Sequence, residues 1–144
     1  MSAENVETVC RLFEAVEERD LAGTLAVYDP EIVIREASFL PYGRAYHGHE
    51  GAKQHARGFA LAWGKSQPGD EKRLDAVFLD AGDRVVVLFR LKGLAAKSGR
   101  KIDVPVVGTY RVRGGKVVES QMFYSDTTEI MQFIADSSNN EAGV

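Results

Sequence analysis

The apolar residues of this chain change their spacing near residue 70, and that change limits the fold more than any other feature. Before it they recur every three or four positions: Val6, Val9, Cys10, Phe13 and Val16, then Leu21, Leu25 and Tyr28, then Ala52, Ala56, Phe59 and Trp63. After it the period falls to two. Side chains return to one face about every 3.6 residues in a helix and about every 2 in a strand, so helices fill the first half and strands the second.

Local chemistry sets the boundaries. Ser2 or Asn5 can cap a first helix of about four turns, whose polar side carries Glu7, Arg11, Glu14, Glu17 and Glu18. Asp20 can cap a shorter second helix that Asp29-Pro30 ends, because proline restricts the residue before it and lacks a donor. A short strand, Ile32 to Glu36, follows. The spacing predicts a third helix from about Gly48 to Trp63, stopping at Gly64, with Gly58 inside it as a point of close packing. Beyond the polar segment Lys65 to Asp70, strands are expected at about Arg73 to Leu79, Arg84 to Leu94, Lys101 to Arg113 and Lys116 to Ser125. Short turns join them as an antiparallel meander. A last helix holding Ile130, Met131, Phe133 and Ile134 follows Asp126-Thr127-Thr128, and 137–144 reads as a flexible tail.

Three helices with one short strand, then four long strands, predict a single α+β domain over 1–136 with the helices on one face of the sheet. A twisted sheet of this length curls around its helices, and the space between is a pocket unless large side chains fill it. With 144 residues and 44% hydrophobic content, one core can form without disulfide or metal. Cys10, the single cysteine, sits on the apolar stripe and reads as core packing. The net charge of −3 comes from interspersed charges, and the locally basic stretch Arg84 to Arg113 alternates with apolar residues. That pattern describes a solvated strand face and not a nucleic-acid footprint. No leader pattern and no apolar run near the roughly 18 residues of a membrane span is visible, so a cytoplasmic protein without a membrane partner is the expectation.

The order of elements resembles the SnoaL-like polyketide cyclases and the wider ketosteroid-isomerase-like, nuclear-transport-factor-2-like superfamily. The residues that carry the resemblance are Leu40-Pro41-Tyr42-Gly43, Tyr46-His47-Gly48-His49-Glu50-Gly51, and Val117-Val118-Glu119 through Tyr124-Ser125-Asp126. It spans nearly the whole chain and is specific for fold and weak for reaction. It implies a cone-shaped, cystatin-like curved antiparallel sheet packed on N-terminal helices, dimers through the outer sheet face, and members that isomerise, cyclise, dehydrate, hydrolyse or only bind. No cofactor is implied. Glu36 stands where the ketosteroid isomerases carry a carboxylate base, but Leu12 and Gly108 fall near the positions of their oxyanion-hole donors, and neither has a side chain that can donate. Their mechanism therefore does not transfer. Asp126 matches the acid/base aspartate that SnoaL-like cyclases place between the last strand and last helix.

Candidate site residues follow from parity and composition. Met122, Tyr124 and Asp126 share one face of the final strand, and Val104, Val106 and Tyr110 one face of its neighbour, so Asp126 is expected to turn inward as a base. Its alternative is a helix cap. His47 is a candidate donor or proton shuttle, with a rim hydrogen bond as the alternative. His47, His49 and His55 invite a metal reading, but His49 and His55 are six apart near a helix start and point to different sides, and no further ligand is signalled, so no metal site is expected. The segment Phe39 to Tyr46, with Tyr42 and Tyr46, reads as a rim or lid, and Phe59 and Trp63 as core or ligand platform. Arg35 should point outward into a salt bridge. Val86, Leu88, Val107 and Val118 on the outer face predict a homodimer.

Two functions remain open. One is a cofactor-independent acid/base enzyme, an isomerase, cyclase or lyase acting on a small carbonyl or polyketide-like compound. The other is a non-catalytic domain that binds a small apolar ligand.

Overall fold

A computed structural model describes the backbone of residues 2–142 and the side chains of residues 3–137. The chain runs α1 (Ser2–Glu17), α2 (Leu21–Val27), β1 (Tyr28–Arg35), β2 (Ala45–His47) and α3 (Gly48–Trp63), then two 3-10 turns, Gly64–Ser66 and Gly69–Lys72. It continues through β3 (Val77–Ala81), β4 (Arg84–Leu94), β5 (Lys101–Arg113) and β6 (Lys116–Tyr124) to α4 (Thr127–Ala142). One curved, unclosed sheet orders its strands β2-β1-β6-β5-β4-β3. The α+β architecture read from the periodicity is therefore the observed one.

Strands β3 to β6 form the expected antiparallel meander, whereas β1 joins β6 in parallel. The helix α1 buries Val9, Leu12, Phe13 and Ala15. Asp20 caps α2, its carboxylate accepting from Gly23 N–H at 2.9 Å. At the far end of the sheet α4 buries Ile130 and Phe133, and Arg100 fastens it through Glu129 at 3.2 Å and through Asp136. Cys10 is half-buried, and its thiol is pushed up by burial and by Glu14 and Glu7.

Four boundaries differ from the sequence expectation, the first being that β1 begins at Tyr28 and not Ile32, so that Tyr28 and Asp29-Pro30 belong to the strand and not to the helix before it. Ala45, Tyr46 and His47 form β2 against β1, so the aromatic segment is partly strand. The third strand starts at Val77 and not Arg73, because the turn Gly69–Lys72 and a positive φ of 47° at Asp75 interrupt the extended chain. Leu74 instead points into the core while its N–H donates to Glu17 Oε2 at 2.8 Å. The last helix continues to Ala142 through residues expected to be frayed, while Gly143 and Val144, the end of that tail, lie outside the described residues.

The core has two parts. One gathers Val9, Leu12, Phe13, Ile32, Ile34, Val85, Val87, Tyr110 and Val117 under α1, and the other gathers Leu40, Tyr42, Trp63, Leu91, Val106, Ile130 and Phe133 under α4. Phe89 and Met122 touch both. Where the two parts meet, the packing is incomplete.

Candidate active site

A cavity of about 300 Å³ lies at that junction, lined by side chains from α1, α2, α3 and the inner face of the sheet. Small residues keep it open. Ala52, Ala56 and Ala60 recur every four positions on α3 and face it, with His55 and Phe59 on the same helical stripe. On the sheet, Ser120 occupies a position where a larger apolar residue would fill the space. The exposed members of the lining, Val16, Arg19, Asp20, Leu21 and Ala60, mark the opening.

One buried carboxylate reaches this apolar space. Glu36 follows β1, and its side chain is only 3% exposed. Its Oε2 lies 2.8 Å from His55 Nε2, and its Oε1 accepts from the Tyr124 hydroxyl at 2.6 Å. With the carboxylate ionised and the imidazole neutral, Nε2 carries the donated proton and Nδ1 keeps a free lone pair. A second layer supports the group. Trp63 Nε1 donates to the Tyr42 hydroxyl at 2.9 Å, the Tyr46 hydroxyl donates to the Tyr42 carbonyl at 2.6 Å, and both tyrosine rings make edge contacts with the His55 ring. Gly58 permits this, since a Cβ there would come within 2.6 Å of Tyr42 Cβ.

The Glu36 carboxylate accepts from Tyr124, and its charge is felt by Tyr28, Tyr42 and Tyr110 as well. Burial pushes each of these phenols up, and for each the Glu36 charge pushes further in the same direction. They are therefore held protonated as donors and do not serve as bases.

The candidate residues separate into three groups. Glu36, Phe59, Tyr110, Met122 and Tyr124 line the cavity. Tyr42, Tyr46 and Trp63 are buried behind its wall and not on a mobile rim, so the lid expectation is corrected to a packed wall; Phe39 packs edge-on against Tyr124. Asp126 and His47 do not reach the cavity. The strand ends at Tyr124, and Asp126 adopts a positive φ of 49° that turns it away from the parity of Met122 and Tyr124. It lies exposed, with Oδ1 accepting from Glu129 N–H at 3.3 Å at the start of α4. His47 is exposed at the N-terminus of α3. Arg35 points outward to Glu119 at 3.3 Å.

His55 is the residue the sequence reading did not place in the site. Its signal was a lone polar residue on the alanine stripe, at i+3 from Ala52 and i−4 from Phe59. His49 instead bonds the Tyr28 carbonyl at 2.9 Å. Among the described residues no three His, Cys, Asp or Glu side chains converge as metal ligands, and no helix is long and apolar enough to cross a membrane.

Residues 9–120 match the SnoaL-like domain family. The chain belongs to that family. An NTF2-like protein of unknown function from Burkholderia pseudomallei K96243 is 28% identical over 91% of this chain and 97% of its own, with a TM-score of 0.78. A provisionally named SnoaL-like polyketide cyclase from Jannaschia sp. CCS1 is 26% identical over 93% of each chain, with a TM-score of 0.70. TerC, a structure co-crystallised with polyporic acid, shares the fold at 22% identity over 92% of this chain and 98% of its own, with a TM-score of 0.77. No curated protein matches the sequence.

Proposed function

We propose that this SnoaL-like domain carries out cofactor-independent acid/base chemistry on a small, largely apolar carbonyl compound, with the Glu36–His55 pair as the proton-holding group. The observation that carries this reading is the Glu36 carboxylate, buried at the wall of an apolar cavity and fixed by one imidazole and one phenol. An orienting carboxylate bonded to an imidazole is a recurrent way to hold a transferable proton. The apolar wall excludes water, which strengthens every electrostatic interaction with a bound ligand.

Proton abstraction next to a carbonyl is the step these groups suit. The α C–H bond breaks, its proton passes to the Glu36–His55 pair, its electrons form the enolate C=C bond, and the carbonyl π pair moves to oxygen. Return of the proton at another carbon gives an isomer; attack of the enolate carbon on a second carbonyl gives a ring. Asp126 and His47 take no part in this reading, because neither reaches the cavity.

The experiment is α-proton exchange in deuterated water, followed by NMR, across a panel of cyclic ketones and β-diketones. Catalysed exchange that falls on the order of 100-fold or more in Glu36→Gln supports the reading. Binding of panel members with no exchange above buffer favours the other one, a non-catalytic domain for an apolar ligand, for which the apolar lining speaks. A homodimer through the outer sheet face completes the proposal. Its support is a row of apolar side chains, Val77, Leu88, Val107 and Phe123, in register across four strands.

A further inference from the structure

Two phenols in the cavity have nothing adequate to donate to. Tyr28 and Tyr110 both line it, at 7% and 5% exposure. The Tyr28 hydroxyl has no hydrogen-bond partner among the described residues, although its backbone carbonyl is used by His49. The Tyr110 hydroxyl has only the Met122 thioether at 3.9 Å, a weak acceptor. The Tyr28 oxygen is not sealed inside protein, and the Tyr110 hydroxyl sits beside Met122, another residue of the cavity lining. Among the described residues, the Ser137 hydroxyl alone is both fully enclosed and unpartnered, so the Tyr28 oxygen meets open space, and for a buried residue of the lining that space is the cavity. Donors on an apolar cavity wall that no strong protein acceptor satisfies are available to bond an acceptor on a ligand.

The backbone is arranged to present Tyr110 in this way. A Cβ on Gly108 would lie 2.6 Å from both Tyr110 Cε2 and Tyr110 Oη, so the ring lies back along its own strand over the bare glycine. That posture leaves the centre of the cavity open and directs the hydroxyl along the sheet. Ser120, the cross-strand partner of Tyr110, adds a third hydroxyl-bearing side chain to the same wall.

We propose that Tyr28 and Tyr110 together form a subsite that binds the carbonyl, enol or phenol oxygen of a ring-sized ligand. It deepens the acid/base reading and rests on it for the proton transfer. Two donors on the oxygen favour the enolate over the ketone, because the bonds strengthen as charge develops there. The electrostatics are consistent with the nearby Glu36. The Glu36–His55 pair changes from a net −1 to 0 as it takes the proton, while the ligand oxygen changes from 0 to −1, so the cavity never holds two negative charges. The ligand class is therefore a cyclic or aromatic compound, of a size to enter about 300 Å³, with one carbonyl or hydroxyl oxygen able to reach the tyrosine pair.

The test compares 2-naphthol with naphthalene, two probes of one shape that differ in a single oxygen, by titration calorimetry on the full chain. The ratio of their Kd values should favour naphthol in the wild type. It should fall about tenfold in Tyr28→Phe and about tenfold in Tyr110→Phe, with naphthalene binding little changed, since each substitution removes one hydroxyl and keeps the ring. If Tyr110→Phe fails to fold, the tenfold loss is still required of Tyr28→Phe. A wild type that binds both probes equally, binds neither, or keeps its naphthol preference in the variants overturns the subsite. The two proposals fail separately. Absence of a naphthol preference in the wild type with exchange present removes the tyrosine subsite, and absence of exchange with the preference present removes the base.

Discussion

Glu36 and His55 lie 19 residues apart in sequence and 2.8 Å apart in space, one just past the first strand and the other on the third helix. With side chains 3% and 17% exposed, they form a polar contact that water scarcely screens. His55→Leu leaves one carboxylate oxygen without its donor and should cost about 1–3 kcal/mol. Glu36→Gln keeps an acceptor and should cost less. Urea unfolding of both single variants and the double variant should show a coupling of about 0.5–3 kcal/mol. Additive effects would mean that the pair contributes no interaction of its own.

At the start of the last helix, Asp126 combines a positive φ with a bond to Glu129 N–H. Asparagine tolerates both conditions, whereas alanine tolerates neither. Asp126→Asn should leave the melting temperature within a degree or so, while Asp126→Ala should cost about 1–2 kcal/mol. Thermal melts check the stability, and naphthol titration should show unchanged affinity in both. A large loss of proton exchange in Asp126→Asn would return the base role to this residue.

These two carboxylates show what the sequence could and could not convey. Periodicity carries the identity of helices and strands well, because side-chain parity is a property of the local chain, and it placed Phe59, Tyr110, Met122 and Tyr124 on inward faces. Parity fails where the local conformation stops repeating. It was extended one step too far at Asp126, past the end of the strand at Tyr124. The Glu36–His55 contact depends on how the third helix packs across the sheet, which no local pattern encodes. Only the alanine stripe around His55 hinted at it. The parallel pairing of the first strand with the last was invisible for the same reason.

On the outer face, Val77 pairs with Leu88, Leu88 with Val107, and Val107 with Phe123, and three of these four are among the exposed large apolar residues of the chain. A continuous row of this kind marks an association surface. Sedimentation equilibrium at tens of micromolar should therefore give a dimer. Leu88→Glu, in the middle of the row, should give a folded monomer because pairing would bury its charge. A wild type that sediments as a monomer would remove the dimer, and a dimer unaffected by Leu88→Glu would move it to another face.

The buried phenols give the fold an alkaline limit whose sign is fixed by linkage. Tyr28, Tyr42, Tyr110 and Tyr124 are all raised in the folded state, first by burial and then by Glu36 or, for Tyr110, by Tyr28 and Glu36. In the unfolded chain the same groups ionise near the ordinary tyrosine value of about 10. Below that pH both states hold these protons, and stability is independent of them. Above it the unfolded state releases protons that the folded state retains, so stability falls with rising pH by about 1.4 kcal/mol per pH unit for each group. With four such groups acting together, unfolding should be steep and should begin within about one to two units above pH 10. Tyrosinate absorbance and circular dichroism, followed together through the titration, should change in one transition, because the phenols ionise only on unfolding. In Tyr28→Phe/Tyr124→Phe the transition should move to higher pH and become shallower, with two fewer protons released. Ionisation of these tyrosines well before the loss of secondary structure would mean that burial and the Glu36 charge do not hold them protonated in the folded state.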